Sequence, residues 1–372
     1  MQYPRFAQVE IDLGAVRANV VTLKGLTARG TLFMAVVKAD AYGHGAVPVA
    51  RTAMEAGAER LGVATVEEAV ELRAAGVDVP IQLLSEPPAE AIPLVLEHDM
   101  VTTVATRDFA VELGRQAAAA GAEARFHLKV DTGMNRIGVC AGDVLEFVRS
   151  LAGFPGLVHE GTFTHFATAD VPGDWDFDRQ LKRFTSALTG LRDDGIDPGI
   201  VHAANSAATI LHPDAHFHMV RCGISLYGLH PAPSTYDSVD LEPAMSVKAR
   251  ASFVKRVGIG DGVSYGLTWH AAAPTTIVTL PLGYADGLHR VLSNSMEVLL
   301  GGARCPQVGR ICMDQIMVEA PRGLVVSQGD EAVLVGSQGG ESISMDTLAN
   351  AAGTINYELA CGFGMRMPRI YG

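Results

Sequence analysis

The sequence predicts an α/β protein in which a (β/α)8 TIM-like barrel is followed by a second, mostly β domain. Three observations support this prediction. The chain has 372 residues, and eight strand-like runs alternate with helix-like segments. Near Pro231 this alternation gives way to short strand-like runs broken by glycine. A doubly wound open sheet has a similar rhythm of strands and helices, so the closure of the barrel is an expectation at this point.

The barrel strands are predicted from short apolar runs bounded by Gly, Pro and polar residues. Uninterrupted apolar runs are typical of strands that are covered on both faces. The predicted strands are 32–38, 61–65, 81–85, 101–105, 126–131, 158–165, 200–203 and 220–226. The helix-like segments fall at 14–26, 46–56, 66–75, 107–120, 144–152, 177–193 and 206–211.

A linker is predicted at 231–240, where the sequence PAPSTYDSVD is rich in Pro, Ser and Asp. We therefore predict a barrel domain at 11–240 and a β-rich domain at 241–372, with an N-terminal strand at 1–10 that packs with the second domain. Strand-like runs in the second domain fall at 245–255, 275–281, 297–300, 305–308, 316–320 and 331–335, and one helix is predicted at 344–351.

Composition limits the classes of partner. The net charge is −12 and no basic block interrupts the acidic balance, which argues against nucleic acid and anionic membrane surfaces as partners. No apolar run reaches the ~20 residues of a membrane helix. The five cysteines have no paired short spacing, and the N-terminal MQYPRFAQVEID has no apolar core. We expect reduced thiols, no metal site and a cytoplasmic protein.

One stretch, residues 33–45 with the sequence FMAVVKADAYGHG, combines a buried strand with polar chemistry. Five apolar residues run directly into Lys38, and a loop with Tyr42, two glycines and a histidine follows. Ligands collect at the carboxyl ends of parallel strands, and such a loop can approach an anion closely. A solvated lysine where a strand leaves the core is the alternative interpretation of Lys38.

Seven stretches in compatible order resemble the motifs of the alanine racemases, a family that uses pyridoxal phosphate (PLP). They are VVKADAYGHG, KVDTGMNRIG, THFATAD, HAANSAA, RCGISLYG, GRICMDQ and TINYE. The resemblance extends from the N-terminal strand to RMPR at 366–369. It implies an isomerase that interconverts L-alanine and D-alanine, and the sequence leaves open whether the enzyme serves D-alanine biosynthesis or alanine breakdown.

The resemblance implies a set of cofactor-binding residues. Lys38 matches the lysine that carries the cofactor covalently. The residues that match the phosphate site are Tyr42, Ser206, Gly223, Ile224 and Tyr357. The sequence itself indicates that Asn205 or Ser206 caps a helix whose N-terminus favours an anion, although a capping residue without a ligand is the alternative.

Arg221 matches the residue that faces the pyridine nitrogen. An arginine cannot accept a proton at working pH, so the nitrogen would stay neutral and the carbanion would be less delocalised. That suits a reaction in which a proton leaves and returns at once. Without the resemblance, Arg221 has the alternative interpretation of a surface ion-pair residue.

Racemisation also needs a base on each face of a planar carbon. Lys38 is predicted for one face and Tyr265, in VSYGLTW, for the other. His165 matches a histidine that stacks on the cofactor ring, and it is expected to link Tyr265 to Arg221. An isolated His at a strand end is otherwise a satisfied core histidine. The resemblance implies that Tyr265 comes from the partner in a head-to-tail homodimer with shared active sites.

The resemblance assigns the remaining site residues to the substrate or to the cofactor's surroundings. Met313 matches the residue whose backbone N–H holds the substrate carboxylate, Asp314 supports its loop, and Tyr284 lines the entrance. Arg136 matches an arginine that hydrogen-bonds the cofactor's phenolic oxygen, and it is also predicted to bind the substrate. Lys129 matches a lysine that is often carbamylated, which an added mass on Lys129 would reveal.

Four rival functions are weighed against an alanine racemase. A broad-specificity amino-acid racemase depends on pocket shape and stays open, and so does the preference for alanine over serine. A PLP barrel decarboxylase of basic amino acids needs an acidic residue in the place of Arg221. A non-catalytic PLP carrier resembles the barrel alone. A metal-dependent barrel hydrolase would use DAHFH, with Asp214, His216 and His218, which precedes the eighth strand and should lie at the opposite barrel face.

Overall fold

The computed structural model describes residues 5–171 and 173–372, which form two compact units. The first unit comprises Ala15–Ala41 and Ala46–Glu242, and the second comprises residues 5–14, Tyr42–Gly45 and Pro243–Gly372. Strands and helices are numbered along the whole chain, which begins with β1 (Ala7–Ile11) and α1 (Leu13–Gly25). Among the described residues, no helix is both long and apolar enough to cross a membrane.

The first unit is a barrel of eight parallel strands. Their order is β4-β3-β2-β10-β9-β8-β6-β5, and a parallel bridge between Gln82 and Val101 joins the two ends. The strands are β2 (Leu32–Val36), β3 (Arg60–Val63), β4 (Ile81–Leu83), β5 (Thr102–Val104), β6 (Ala124–Asp131), β8 (Leu157–Phe163), β9 (Ile200–His202) and β10 (Met219–Cys222), with β7 (Val139–Cys140) beside β6. The predicted (β/α)8 barrel is confirmed.

The barrel helices follow their strands in the expected alternation. They are α3 (Ala46–Glu55), α4 (Val66–Ala74), α5 (Ile92–Glu97), α6 (Arg107–Ala119), α7 (Val144–Leu151), α8 (Trp175–Asp193) and α9 (Ser206–Leu211), and a short helical segment with positive φ, α2 (Lys38–Gly43), precedes α3. Thr65 caps α4 in a reciprocal capping box with Glu68. The sequence analysis missed α5, because its six residues, with a proline second, are too few to show a helical period.

Seven of the eight predicted barrel strands end one to four residues earlier than predicted, and three of them show the reason. The strand predicted at 32–38 ends at Val36, the one at 158–165 ends at Phe163, and the one at 220–226 ends at Cys222. The residues beyond these ends stay largely buried, and 224–227 form a 3-10 helix. Because burial continues after the backbone has left the sheet, hydrophobicity alone cannot locate the strand end.

The second unit is mostly β. Its main sheet has the order β17-β16-β19-β11-β1-β21 with β20 beside β19, and two smaller sheets contain β12-β15-β18 and β13-β14. The strands are β11 (Met245–Arg250), β12 (Phe253–Val257), β13 (Gly262–Val263), β14 (Trp269–His270), β15 (Thr275–Leu280), β16 (Glu297–Leu300), β17 (Ala303–Pro306), β18 (Ile316–Ala320), β19 (Glu331–Gln338), β20 (Glu341–Ile343) and β21 (Arg369–Tyr371), and the helices are α10 (Met345–Ala352) and α11 (Asn356–Gly362).

The single strand predicted at 245–255 is wrong, because the structure divides it into β11 and β12. The break lies at Ala251 and Ser252. The backbone N–H of Ala251 donates to Asp330 O, whereas that of Ser252 donates to Thr279 O. These two acceptors precede β19 and lie in β15, so one peptide step carries the chain from the main sheet to the three-stranded sheet.

Candidate active site

Three of the predicted catalytic residues lie near the carboxyl ends of barrel strands. Lys38 follows β2 by two residues, His165 follows β8 by two residues, and Arg221 is the third residue of β10. The carboxyl ends of parallel barrel strands meet at one face. His165 is electrostatically affected by both Lys38 and Arg221, which places the three groups near one another.

The backbone that follows Lys38 forms a left-handed turn. Residues 39–42 have φ between 52° and 54°, a region that costs an L-residue roughly 1–2 kcal/mol. Two carboxylates hold the turn: Glu68 Oε1 accepts the N–H of Ala39 at 2.7 Å, and Asp40 Oδ1 accepts that of Ala46 at 2.8 Å. Strain of this kind persists only where the surroundings enforce it, and it clusters at active sites. The turn therefore fixes the chain on one side of Lys38.

Arg221 is buried and surrounded by hydrogen-bond acceptors. Its Nη1 donates to His202 Nδ1 at 2.9 Å. Its Nη2 donates to the carbonyl oxygens of Thr164 at 2.8 Å and Ala203 at 3.0 Å, and lies 3.3 Å from His165 Nδ1. Since all of these bonds use Nη1 and Nη2, the Nε–H is left for a further acceptor. The alternative of a surface ion pair is wrong, because Arg221 is only 4% exposed.

Burial and nearby cations keep the histidines of this face neutral. Burial, and then Arg221, lowers the pKa of His165 well below its ordinary value. The pKa of His202 is lowered well below its ordinary value by the same two causes in the same order. Each neutral imidazole has one nitrogen that donates and one that accepts. His165 and His202 therefore both offer Nδ1 to the guanidinium of Arg221.

Lys129, in β6, lies in the same positive region. Its Nζ is 4.9 Å from the ring centroid of Phe163, and the Arg221 guanidinium is 5.4 Å from the same centroid. Burial, then the charges of Arg221 and Arg136, lowers the pKa of Lys129 well below its ordinary value. Arg136 itself lies exposed in the loop between β6 and β7. The carbamate on Lys129 stays a prediction, although a buried, uncharged amine is the form that this reaction needs.

The predicted phosphate-binding residues of the barrel converge after β9 and β10. Asn205 caps α9 by accepting the N–H of Ala208 at 3.0 Å. Ser206 Oγ accepts the N–H of Gly223 at 3.0 Å, which joins the two predicted donor segments. Ile224 is buried and begins the 3-10 helix beyond β10. The N–H groups and hydroxyl at these strand ends form a set suited to an anion.

Further polar residues of the barrel interior were missed by the sequence analysis. A series of hydrogen bonds continues from His202 to His127 in β6, Glu160 in β8 and Arg60 in β3. The ring of His202 also stacks on that of Phe163, with centroids 4.7 Å apart. The signal was available, because polar residues inside strands that are covered on both faces must be paired. The sequence could not say which residues pair.

Acid is expected to destabilise the folded chain strongly. Burial lowers the pKa of His127, His165 and His202, and burial together with His127 lowers that of His159 to about 4. Unfolding lets each imidazole take up a proton at its ordinary pKa of ~6.5. Below about pH 6.5 the unfolded state then binds more protons, so the unfolding free energy decreases as pH falls through this range, by up to ~1.4 kcal/mol per pH unit for each group.

The measurement is urea unfolding at several pH values between about 5 and 8. His159→Gln should reduce the slope below about pH 6, whereas His270→Gln at an exposed position should retain it. An unfolding free energy that stays constant or increases towards acid pH would contradict the neutral state of these imidazoles.

Two tyrosines predicted to bind phosphate lie together in the second unit. The rings of Tyr42 and Tyr357 are tilted, with centroids 6.2 Å apart. Gly43, next to Tyr42, has φ +81°, and an added Cβ would lie 2.4 Å from Ala360 O. Only glycine allows the segment to approach α11 this closely. The close contact brings Tyr42 beside Tyr357, which is the second residue of α11.

The second unit also contains Tyr265, Met313 and Tyr284, whose side chains are exposed. Tyr265 is 72% exposed, Met313 52% and Tyr284 42%. Ser264, which precedes Tyr265, donates its hydroxyl to Arg310 O at 2.6 Å. The backbone N–H of Tyr284 donates to Cys312 O at 3.0 Å. The loops that carry Tyr265 and Tyr284 therefore both pack on the 310–313 loop. The exposed side chains of Tyr265, Tyr284 and Met313 come from this one region of the second unit.

A salt-bridge group supports this loop. Asp314 Oδ1 accepts from Arg366 at 2.7 Å, and Arg366 also lies 3.4 Å from the buried carboxylate of Asp286. Gly283 packs so closely on the loop that an added Cβ would lie 2.2 Å from Cys312 O. These contacts are consistent with the supporting role predicted for Asp314, which stays a prediction.

The DAHFH motif has a structural explanation. His216 Nε2 lies 2.9 Å from Thr209 O, and His218 Nδ1 lies 3.2 Å from Gly199 O. His218 directly precedes β10 and so lies at the amino end of that strand. In the ranges 5–171 and 173–372, no group of three or more His, Cys, Asp or Glu residues is arranged to hold a metal ion.

Comparison with known proteins identifies the class of protein that this fold and site define. The family model for the alanine racemase N-terminal domain matches residues 11–231, and that for the C-terminal domain matches residues 244–371. The molecule is an isomerase of the amino-acid racemase class, with a barrel and a separate, mostly β C-terminal domain. The chain belongs to the alanine racemase family.

Individual relatives agree with this assignment. An alanine racemase from Symbiobacterium thermophilum is 48% identical, over 98% of this chain and 96% of the relative. The structure of alanine racemase from Bacillus anthracis with bound L-Ala-P has a TM-score of 0.95 and 40% identity, covering 100% of this chain and 96% of that one. A histidine racemase from Leuconostoc mesenteroides has a TM-score of 0.90 and 31% identity, covering 100% and 99%.

Proposed function

We propose that the chain interconverts L-alanine and D-alanine with PLP as its cofactor, using Lys38 and Tyr265 as bases on opposite faces of the substrate. The observation that carries the proposal is the buried guanidinium of Arg221, which lies with His165 and Lys38 at the carboxyl ends of the barrel strands. The names of the full-length relatives support the same reaction.

The donor set of the chain fits PLP. Lys38 would hold it covalently, Arg221 would donate its Nε–H to the ring nitrogen, His165 would stack on the ring, and Arg136 would bind the phenolic oxygen. The phosphate would lie on residues that all carry backbone N–H groups or hydroxyls: Tyr42, Asn205, Ser206, Gly223, Ile224 and Tyr357. The cofactor, when bound, supplies the electron sink that removal of an α-proton requires.

Arg221 favours racemisation over other reactions of this cofactor. An arginine only donates hydrogen bonds, so it would leave the ring nitrogen unprotonated. The acceptors around Nη1 and Nη2 fix the guanidinium in orientation. Burial lowers the pKa of Arg221 to about 9, which still leaves it charged at neutral pH. A weaker electron sink shortens the lifetime of the carbanion and favours prompt return of the proton. This argues against the decarboxylase, which needs a carboxylate in this place.

The two bases are proposed to come from two subunits. Lys38 Nζ takes or returns the α-proton on one face, and the Tyr265 phenol does so on the other, with His165 linking Tyr265 to Arg221. Tyr265 is strongly exposed on the single chain, beside the exposed Met313 and Tyr284. A head-to-tail homodimer would cover these side chains and bring Tyr265 of the partner subunit to Lys38.

The same loops would recognise the substrate. The backbone N–H of Met313 is proposed to hold the substrate carboxylate, and the Asp314–Arg366 ion pair to keep the loop in place. Tyr284 would narrow the entrance. Arg136 would add positive charge for the carboxylate. A small entrance lined by aromatic rings favours a small side chain such as that of alanine.

The proposal is tested by exchange of the α-proton with solvent deuterium, followed by NMR for a panel of amino acids. We expect L- and D-alanine to exchange and to interconvert, and other amino acids to exchange at least about 10-fold more slowly, because a wrong-sized side chain costs ~1–3 kcal/mol. A bovine serum albumin sample with the same added PLP controls for exchange by the free cofactor. Absence of exchange with alanine would refute the proposal.

A second candidate function is racemisation of a larger amino acid. The histidine racemase that shares this fold at 31% identity favours testing it, because the scaffold accommodates more than one substrate. Histidine and serine therefore belong in the exchange panel. Faster exchange with either of them than with alanine would assign the chain to that substrate.

A further inference from the structure

A line of hydrogen-bonded side chains runs through the barrel interior beneath Arg221. Arg221 Nη1 lies 2.9 Å from His202 Nδ1, and His202 Nε2 lies 2.6 Å from His127 Nδ1. His127 Nε2 lies 3.0 Å from Glu160 Oε2. Glu160 then binds Arg60 through two parallel bonds of 3.1 Å and 3.0 Å. We name this series the Arg221–Arg60 line.

The chemistry of the two ends determines where every proton in the line resides. Arg221 can only donate, so His202 Nδ1 must accept. The neutral ring of His202 then carries its proton on Nε2 and donates it to His127 Nδ1. His127 in turn carries its proton on Nε2 and donates it to Glu160. Burial lowers the pKa of both histidines, which supports their neutral state.

Glu160 is the anion that accepts hydrogen bonds from both sides, from His127 and from Arg60. Burial by itself would raise the pKa of Glu160, but hydrogen bonds from His127 and Arg60 lower it to about 2. Its side chain is 16% exposed and that of Arg60 is 11% exposed. A two-pronged bond from Arg60 holds the carboxylate more rigidly than a single bond could.

We propose that Glu160 is a positioning residue for the reaction, which sets the tautomers of His127 and His202 so that Arg221 always meets an accepting nitrogen. This inference rests on the proposed function, since it matters for catalysis through the contact of Arg221 with the cofactor's ring nitrogen. Glu160 itself touches neither substrate nor cofactor. Arg60 has the supporting role of orienting the carboxylate.

Glu160→Gln separates this role from simple packing, because the amide has nearly the same shape as the carboxylate. The amide offers one oxygen and one NH2 group to Arg60 and His127, both of which donate. One donor must then lose its acceptor, or His127 must move its proton to Nδ1. The second outcome forces the same exchange on His202, whose Nδ1–H would then point at Arg221.

The first test uses the cofactor-free full-length chain labelled with 15N-histidine. NMR of the imidazole nitrogens should find His127 and His202 neutral, with the proton on Nε2 in each. Glu160→Gln should change the chemical shifts of both rings, including His202, which Glu160 does not contact. A proton on Nδ1 of His202 in the unmodified chain would overturn the proposal, whether or not the chain is a racemase.

The second test uses the enzyme with PLP bound. We expect Glu160→Gln to lower kcat by about 10- to 100-fold, the range known for the outer hydrogen-bond partners of metal-binding histidines, with little change in KM. The 15N chemical shift of the labelled ring nitrogen of PLP should change as well. Glu59→Gln is the matched control, because Glu59 pairs with Lys24 at 2.6 Å on the same barrel and has no bond to the line.

A folded Glu160→Gln enzyme with unchanged kcat and an unchanged ring-nitrogen shift would overturn the proposal. Arg60→Lys serves if Glu160→Gln does not fold, because it retains the charge and removes the two-pronged bond. It should change the same signals in the same direction by a smaller amount. If alanine does not exchange but the NMR tautomers are those expected, the proposed function fails and the Arg221–Arg60 line stands.

Discussion

Lys38→Ala is expected to lower the rate of alanine racemisation by about 10⁴-fold or more, because general acid–base catalysis by one side chain contributes up to ~10⁴ and Lys38 is also proposed to anchor the cofactor. The left-handed turn at 39–42 fixes the backbone that follows Lys38 and so restricts where its amine can lie. The measurement is the interconversion of L- and D-alanine followed by circular dichroism or chiral chromatography.

The controls for Lys38→Ala separate lost chemistry from lost structure. Lys182→Ala removes an exposed lysine of α8 and should leave the rate unchanged. Borohydride reduction of the unmodified enzyme, followed by peptide mass spectrometry, should find the cofactor on Lys38. A label on another lysine, or a Lys38→Ala enzyme that keeps a tenth of the rate, would show that Lys38 has been wrongly assigned.

Tyr265→Phe is expected to reduce racemisation by about 10²- to 10⁴-fold, because it removes the proton-transferring hydroxyl from one face. The loss should depend on direction. Abstraction of the α-proton from L-alanine should fail in Tyr265→Phe, whereas washout of the α-proton from D-alanine, which Lys38 performs, should persist. The measurement is deuterium incorporation into each enantiomer separately, under single-turnover conditions.

The matched control for Tyr265→Phe is Tyr236→Phe, which removes the hydroxyl of another exposed tyrosine in the segment after the barrel. A complementation experiment tests the shared site. If Tyr265 acts on the partner subunit, a mixed dimer of Lys38→Ala and Tyr265→Phe chains contains one intact site, and activity returns on mixing. Equal loss of exchange from both enantiomers, or no recovery in mixed dimers, would contradict the two-base, two-subunit mechanism.

Local patterns were sufficient to predict the architecture. All eight barrel strands were found because uninterrupted apolar runs must be covered on both faces, and the longer barrel helices were found because their period differs from that of the strands. The ends were less accurate. The apolar runs beyond Val36 and Cys222 continue to be buried after the sheet has ended, and a break at Ala251 and Ser252 leaves no trace in hydrophobicity.

The sequence by itself determined which residue types could carry the chemistry, because Lys38, His165 and Arg221 lie in or just after recognisable strands, in motifs that resemble one family. Only the tertiary structure decided which partners complete them. His202, His127, Glu160 and Arg60 lie far apart in the chain. Strand order places His202, Glu160 and His127 on the neighbouring strands β9, β8 and β6, and the closed barrel lets Arg60 reach Glu160 from β3. Burial then makes their protonation depend on one another, since a donor without an acceptor is costly inside a barrel.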